Sequence, residues 1–432
     1  MYSAYLDLNP ARVRGVRALG SVSRRAYFGP IAPLRVRRFT TPRLPGPNWV
    51  RVRNIVSAIA LDEVERTLVT WDPKVAPQAT PRPSRVYLGR QVVGEVVEAG
   101  TETRTLQVGD RVVYQSGISC ATREIEPPCF HCAVGSYTLC ENRFMPGQEQ
   151  AGGGWSDEMI VHERQMFLAP DGLVAEQAAL LEPTAEAVRA ALRYHPEQDD
   201  LALVLGADTP GLLLTQALRA VAPSLNITVA PQHGYQVEVA TRMGASRILY
   251  PEDGDDAVAR MTTGRLYRGR TGAQMLVGGF DIVYDTLGTE ASLRQALLWA
   301  REGGAVVLAG RPQRWMRLDP TLIWSREVSL LGVMGHGVER WSGGAGLAPA
   351  IASGGRVSTF MLAAQMIREQ LLTPERLVTH RFPLREVRAA VATMRDRAVH
   401  KAIQALLDVR DVSSSALLSD IERPAALGAP RR

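Results

Sequence analysis

The chain has 432 residues, enough for two domains with real cores. Hydrophobic residues make up 46% and the mean hydropathy is −0.07, values of an ordinary globular protein, and no apolar run reaches membrane-spanning length. The net charge of +6 comes almost entirely from arginine, Lys74 and Lys401 being the only lysines, and the arginines are interleaved with 44 acids. That distribution argues against a phosphate-tracking stripe, so neither a nucleic-acid nor a membrane partner is expected.

The first 39 residues are rich in arginine, with Arg24-Arg25 and Arg37-Arg38, and lack the apolar stretch of a signal peptide. An organelle transit segment is disfavoured because strand-like sequence follows without a break, and a cytoplasmic location is expected. Residues 50–53 alternate in the strand period, residues 92–97 form a β-rich run, and residues 108–113 turn into another strand. All four cysteines then fall in one loop: Cys120, Cys129, Cys132 and Cys140. Four thiols clustered around a Cys-x-x-Cys turn read as a tetrahedral thiolate zinc site, closed by four protein ligands and therefore structural. Two disulfides or free thiols are the alternatives, and His131, inside the loop, could replace Cys120 as a ligand.

Glycines 152–154 punctuate the chain before a strand at 158–161. From residue 184 the pattern changes to alternating helices and strands. A helix at 184–194 leads to strands at 201–205, 227–230, 247–249, 281–285 and 305–309, with helices at 235–243 and 290–300 between them. This alternation predicts an α/β, doubly wound parallel sheet. After residue 329 the chain returns to the style of its first part, and residues 411–432, rich in Ser, Ala, Pro and Arg, are expected to be disordered.

With these pieces in order, the chain resembles the zinc-containing medium-chain dehydrogenase/reductases, which include the alcohol, threonine, sorbitol and glucose dehydrogenases. The resemblance runs from about Ile31 to Val409 and rests on Leu44-Pro45-Gly46-Pro47, Val93-Gly94-Glu95-Val96-Val97, Val108-Gly109-Asp110-Arg111-Val112, the four cysteines, Leu181-Glu182-Pro183, Gly303-Gly304-Ala305-Val306-Val307 and the segment from Val378 to Leu384. It implies a GroES-like β domain made by both chain ends (1–183 and 330–410) that holds an inserted Rossmann domain (184–329). It also implies a homo-oligomer, dimer or tetramer, or a hetero-oligomer with a related dehydrogenase. The family's zinc loop spaces its cysteines more closely before the second ligand, so Cys120 sits on a longer limb.

The family's catalytic zinc, which polarises an alcohol oxygen, takes its ligands from Cys-Gly-x-Asp, from Gly-His-Glu and from a Glu or Cys before the inserted domain. Here the first stretch reads Ala58-Ile59-Ala60-Leu61 and the second Gly89-Arg90-Gln91; only Glu182 survives. Alanine cannot bind a metal, arginine would repel one, and the proton-relay hydroxyl falls at Ala60. Catalytic zinc is therefore not expected. Arg90 is expected to substitute for its charge and pair with Glu182.

The nucleotide turn reads Gly206-Ala207-Asp208-Thr209-Pro210-Gly211, with Asp208 in place of the second glycine of G-x-G-x-x-G. A bare carboxylate ~5 Å from a phosphate charge costs about 3 kcal/mol at an effective dielectric of ~20. Asp208 or Thr209 is expected to cap the following helix, so that the protein's own anion takes the phosphate position. The acid that would hold the NAD ribose is Pro231, and only His233 is near enough to serve an NADP phosphate. NAD(P) binding is thus doubtful. The sequence leans to a catalytically silent paralogue, the alternative being a zinc-independent NAD(P)H reductase of activated double bonds or quinones.

Overall fold

A computed structural model describes residues 1–20, 23–29, 31–69, 85–115, 117–145, 149–197, 199–270, 272, 274–341 and 355–410. The expected disordered tail, 411–432, lies outside them.

The first domain is built on the ten-residue strand Trp49–Ala58, whose valines at 50, 52 and 56 are buried. It pairs antiparallel with Val92–Ala99, with Glu158–His162 and, from the far end of the chain, with Gln404–Asp408, where Leu406 lies opposite Ala58. Both chain ends therefore share one seven-stranded sheet, the GroES-like domain. The N-terminus joins this domain further upstream than the resemblance implied. Tyr2–Asp7 is the middle strand of a small sheet between Leu34–Arg38 and Arg85–Tyr87, and Ala4 and Leu6 pack with Trp155 and Leu384.

The inserted domain has six parallel strands: Leu201–Leu205, Asn226–Ala230, Arg247–Ile248, Phe280–Asp285, Ala300–Leu308 and Ser329–Gly332. In spatial order they run third, second, first, fourth, fifth, sixth, the Rossmann arrangement. Continuous apolar runs such as Leu-Ala-Leu-Val-Leu suit strands buried on both faces. The sixth strand begins at Ser329, so the parallel sheet continues past the boundary drawn at 329, to Gly332. The order in which strands are added reverses between the parallel first and fourth strands, leaving a crevice outside their carboxyl ends, Leu205 and Asp285. A cleft of 2150 Å³ opens there and extends between the domains. Among the described residues, no helix is long and apolar enough to cross a membrane.

Candidate functional site

The four cysteine sulfurs lie within 4.8 Å of one another, with 3.7 Å between Cys120 and Cys140 and 4.0 Å between Cys129 and Cys140. A disulfide needs ~2.05 Å. Four thiolates ~2.3 Å from one zinc sit ~3.8 Å apart at the edges of a tetrahedron. The sulfurs thus fit a single zinc ion with shifts of an ångström or less. Cys120, on the long limb, is fully buried, and its sulfur accepts the Cys129 N–H at 3.3 Å and the Asn142 amide at 3.2 Å. His131 is not in the cluster; its ring meets Phe130 edge-on. Among the described residues this is the sole group of three or more His, Cys, Asp or Glu able to share a metal.

The expected pairing of Arg90 with Glu182 is present. Arg90 Nε donates to Glu182 Oε1 at 3.0 Å, and Gln91 Nε2 approaches Glu182 Oε2 at 3.4 Å. Glu182 stands in the first turn of helix Leu181–Arg193, where the helix dipole favours a carboxylate. The other edge of the guanidinium donates to Asp62 Oδ1 at 2.6 Å, and Asp62 also takes Arg311 at 2.9 Å and Arg66 at 3.9 Å. Burial alone would raise the Asp62 carboxyl; Arg90, Arg66 and Arg311 hold it well below the usual range. Glu63 turns inward and accepts the Gly89 and Arg90 backbone N–H groups, and burial raises its carboxyl.

Ala58 is not part of this site. It is a fully buried residue of the central strand, and Ile59 packs into the core against Trp155. The cleft wall starts at Ala60, with Leu61 and Asp62. Shifted by one residue, the Cys-Gly-x-Asp pattern sets Asp62 on its Asp, Ile59 on the metal-binding cysteine and Leu61 on the relay hydroxyl. Isoleucine offers no ligand either, so these residues do not fit a catalytic metal.

His336 is buried within its glycine-rich loop. Its Nε2 meets the Gln115 carbonyl, its ring packs edge-on against Phe360, and burial lowers its pKa. Arg189 fixes that loop through the Met334 and His336 carbonyls and pairs with Glu339 at 2.9 Å.

At the nucleotide turn, Gly206 has φ +101°, and a Cβ on Gly211 would stand 2.2 Å from the Gly206 carbonyl oxygen. Both glycines are therefore required for the strand and helix to meet this closely. Asp208 occupies the N-cap position of helix Thr209–Val221, but its side chain makes no capping hydrogen bond. Nor does Thr209 cap; its hydroxyl donates to the Ile403 carbonyl at 3.0 Å. The Asp208 carboxylate accepts from Gln236 at 2.9 Å and from Arg397 Nε at 3.1 Å, with Arg397 Nη2 at 3.0 Å from its second oxygen. A fork-to-carboxylate pair is geometrically preferred and cancels the charge. The expectation of a self-capped helix with a bare carboxylate over the phosphate position is thus corrected. His233 stacks on Tyr235, and Pro231 is buried.

Family models for the alcohol dehydrogenase GroES-like domain and for zinc-binding dehydrogenase match residues 46–171 and 211–348. L-idonate 5-dehydrogenase of Vitis vinifera is 24% identical over 84% of this chain and 88% of its own length. (R,R)-butanediol dehydrogenase of Bacillus subtilis (strain 168) is 32% identical over 58% of this chain and 66% of its own. Acetophenone reductase of Geotrichum candidum NBRC 4597, solved in complex with NAD, superposes with a TM-score of 0.66 at 17% identity, covering 88% of this chain and 95% of that one. The chain belongs to the zinc-containing medium-chain dehydrogenase/reductase superfamily.

Sequence reasoning missed Asp62, Glu186, Arg311 and Arg397. Asp62 was readable from the Cys-Gly-x-Asp pattern with a one-residue shift. The two arginines carry no local signal, because their partners lie 249 and 189 residues away.

Proposed function

We propose that this protein is a dinucleotide-dependent reductase that works without a catalytic metal. The observation that carries the reading is the uncapped N-terminus of helix Thr209–Val221, opening on the same cleft as the Arg90–Glu182 pair. First-turn N–H groups with no side-chain acceptor form an anion site, and Arg397 removes the repulsion that Asp208 would exert. The residues present fit the phosphate end of a dinucleotide. The ribose end lacks its usual carboxylate, and the exposed amide of Gln232, which lines the cleft, is the polar group available there.

A bound dihydronicotinamide supplies hydride; the chain's own residues do the rest. Arg90, held between Glu182 and Asp62, keeps a fixed positive charge where relatives hold a cation. Ala60 and Leu61 supply apolar wall against which an unsaturated substrate can lie. Cys120, Cys129, Cys132 and Cys140 hold one zinc that fixes their loop. A homo-oligomer is part of this reading, supported by the outer edge of Ser329–Gly332, which has no partner strand among the described residues.

A silent paralogue is the second reading, favoured by Pro231 and by the contacts that tie the domains at the nucleotide turn: Arg397 to Asp208, Thr209 to Ile403, and Tyr235 to Ala402. Calorimetric titration with NADPH and NADH separates the two. Micromolar binding is expected, and no binding of either would overturn the reductase.

A further inference from the structure

Glu186 lies one turn beyond Glu182 on helix Leu181–Arg193, so the two carboxyls leave the same helix face. It is half-buried and lines the cleft, with its Oε1 beside the loop at Gly335. The other acids around Arg90 are engaged: Glu182 and Asp62 are paired with the guanidinium, and Glu63 holds two backbone N–H groups. Glu186 has no hydrogen-bond or ion-pair partner among the described residues.

The charged groups that face it are Glu182 on its own helix and Arg90, Asp62 and Arg311 across the cleft. Of its neighbours on the Gly335 loop, His336 is pushed towards the neutral form by burial, and Arg189 is occupied by Glu339. Burial and then the Glu182 charge raise the Glu186 carboxyl to about 8. It therefore carries a proton at neutral pH and can release it near that pH, as a general acid must. Arg90 cannot give a proton up, and neither Ala60 nor Leu61 carries a hydroxyl.

We propose that Glu186 is the catalytic proton donor and that the cleft takes conjugated carbonyl compounds, the carbonyl oxygen directed at Glu186. The proposal rests on the reductase reading above. In an enone, hydride arrives at the β-carbon with the electron pair of the breaking dihydronicotinamide C–H bond. The C=C pair shifts toward the carbonyl carbon, and the carbonyl pair moves to oxygen. The Glu186 O–H bond breaks and its proton joins that oxygen. The enol becomes the saturated ketone, and the Glu186 carboxylate regains a proton from water. The substrate gains two electrons, one hydride and one proton in all, and the nicotinamide is oxidised.

The test uses the full chain and Glu186→Gln, with NADPH and two probes, 2-cyclohexen-1-one and 9,10-phenanthrenequinone. Binding of NADPH should be equal in both proteins. The unmodified protein should lose rate as pH rises through about 8. Glu186→Gln should be slower on the order of a hundredfold, with no such limb. Without cofactor, carbon-13 NMR of carboxyl-labelled glutamate should show one group titrating near pH 8 that vanishes in Glu186→Gln. Equal rates and equal pH profiles in the two proteins, or no carboxyl titrating in that range, would overturn the role of Glu186 and leave the reductase intact. Absence of NADPH and NADH binding would remove the reductase itself, and the donor with it.

Discussion

Arg90 Nε and Glu182 Oε1 stand 3.0 Å apart, with Glu182 only 1% exposed and Asp62 closing the other side of the same guanidinium. A planar cation with five donors in a fixed fork can pair with one carboxylate on each of two edges at once. Burial works against the charge on Arg90, but Asp62 and Glu182 more than restore it. The cleft wall thus carries a fixed positive centre built from side chains alone.

Removing that centre leaves the buried Glu182 carboxylate without its guanidinium. Arg90→Leu should destabilise the first domain by about 3 kcal/mol, the usual cost of breaking one side of a buried pair. The double change Arg90→Leu with Glu182→Leu should recover most of the loss, because the Glu182 charge goes with its partner and Asp62 keeps Arg311 and Arg66. Urea unfolding of the two variants is the measurement. A loss in the single variant no larger than that of an exposed ion pair, about 0–1 kcal/mol, would show that water already compensates the site.

The sulfur geometry makes a separate prediction. The purified chain should hold one zinc per molecule, and Cys120→Ser should lose it, because the long limb carries a fully buried ligand. His131→Ala should keep the metal. Metal-to-protein ratios measured by atomic emission decide this. Retention of zinc by Cys120→Ser together with its loss from His131→Ala would reverse the ligand assignment. Chelation should also expose residues 117–145 to protease, since closed thiolate sites contribute folding energy directly.

Much of this architecture was legible in the chain because its signals are local. The apolar runs at 201–205 and 281–285, and the helix at 290–300, appear within a residue or two of their expected limits. The Arg90–Glu182 pair was readable from two motif positions that meet in one cleft. What escaped was non-local or one residue out of register. Ala58 read as the metal-ligand position because an alternating strand carries no marker for the residue at which it ends. Asp208 read as a helix cap because N-cap chemistry is local, whereas Arg397, which captures its carboxylate, arrives from the opposite end of the chain. The burial of His336 depends on Phe360 and Gln115, neither of which is near it in sequence.

The Asp208–Arg397 pair bears directly on nucleotide affinity. Asp208→Asn keeps the Gln236 contact and removes the charge that neutralises Arg397, leaving a free guanidinium at the uncapped helix end. NADPH affinity should rise about tenfold, equivalent to ~1.4 kcal/mol. Arg397→Ala should do the opposite, exposing the carboxylate to the phosphates. Calorimetry on the three proteins tests the pair. Tighter binding by Arg397→Ala would mean that the arginine blocks the site instead of assisting it.

Two carboxyls of the cleft should tilt stability in opposite directions with pH. The Asp62 carboxyl is depressed below its ordinary 3.8, against the effect of burial, by Arg90, Arg66 and Arg311. The unfolded chain therefore binds its proton first, and the stability Asp62 contributes is present above about pH 4 and fades as pH falls towards the folded value. Glu186 is raised to about 8 by burial and by Glu182, so its contribution is complete below its ordinary 4.5 and is lost as pH rises through 8. Compared with the unmodified chain, Asp62→Asn should be less stable at pH 7, and the gap should narrow below pH 4. Glu186→Gln should gain stability relative to the unmodified chain as pH climbs from about 5 to 9. Urea midpoints followed by tryptophan fluorescence from about pH 3 to 9 read both effects. Parallel pH profiles for Glu186→Gln and the unmodified chain would mean that Glu186 is ionised in the folded state at neutral pH and has no proton to donate.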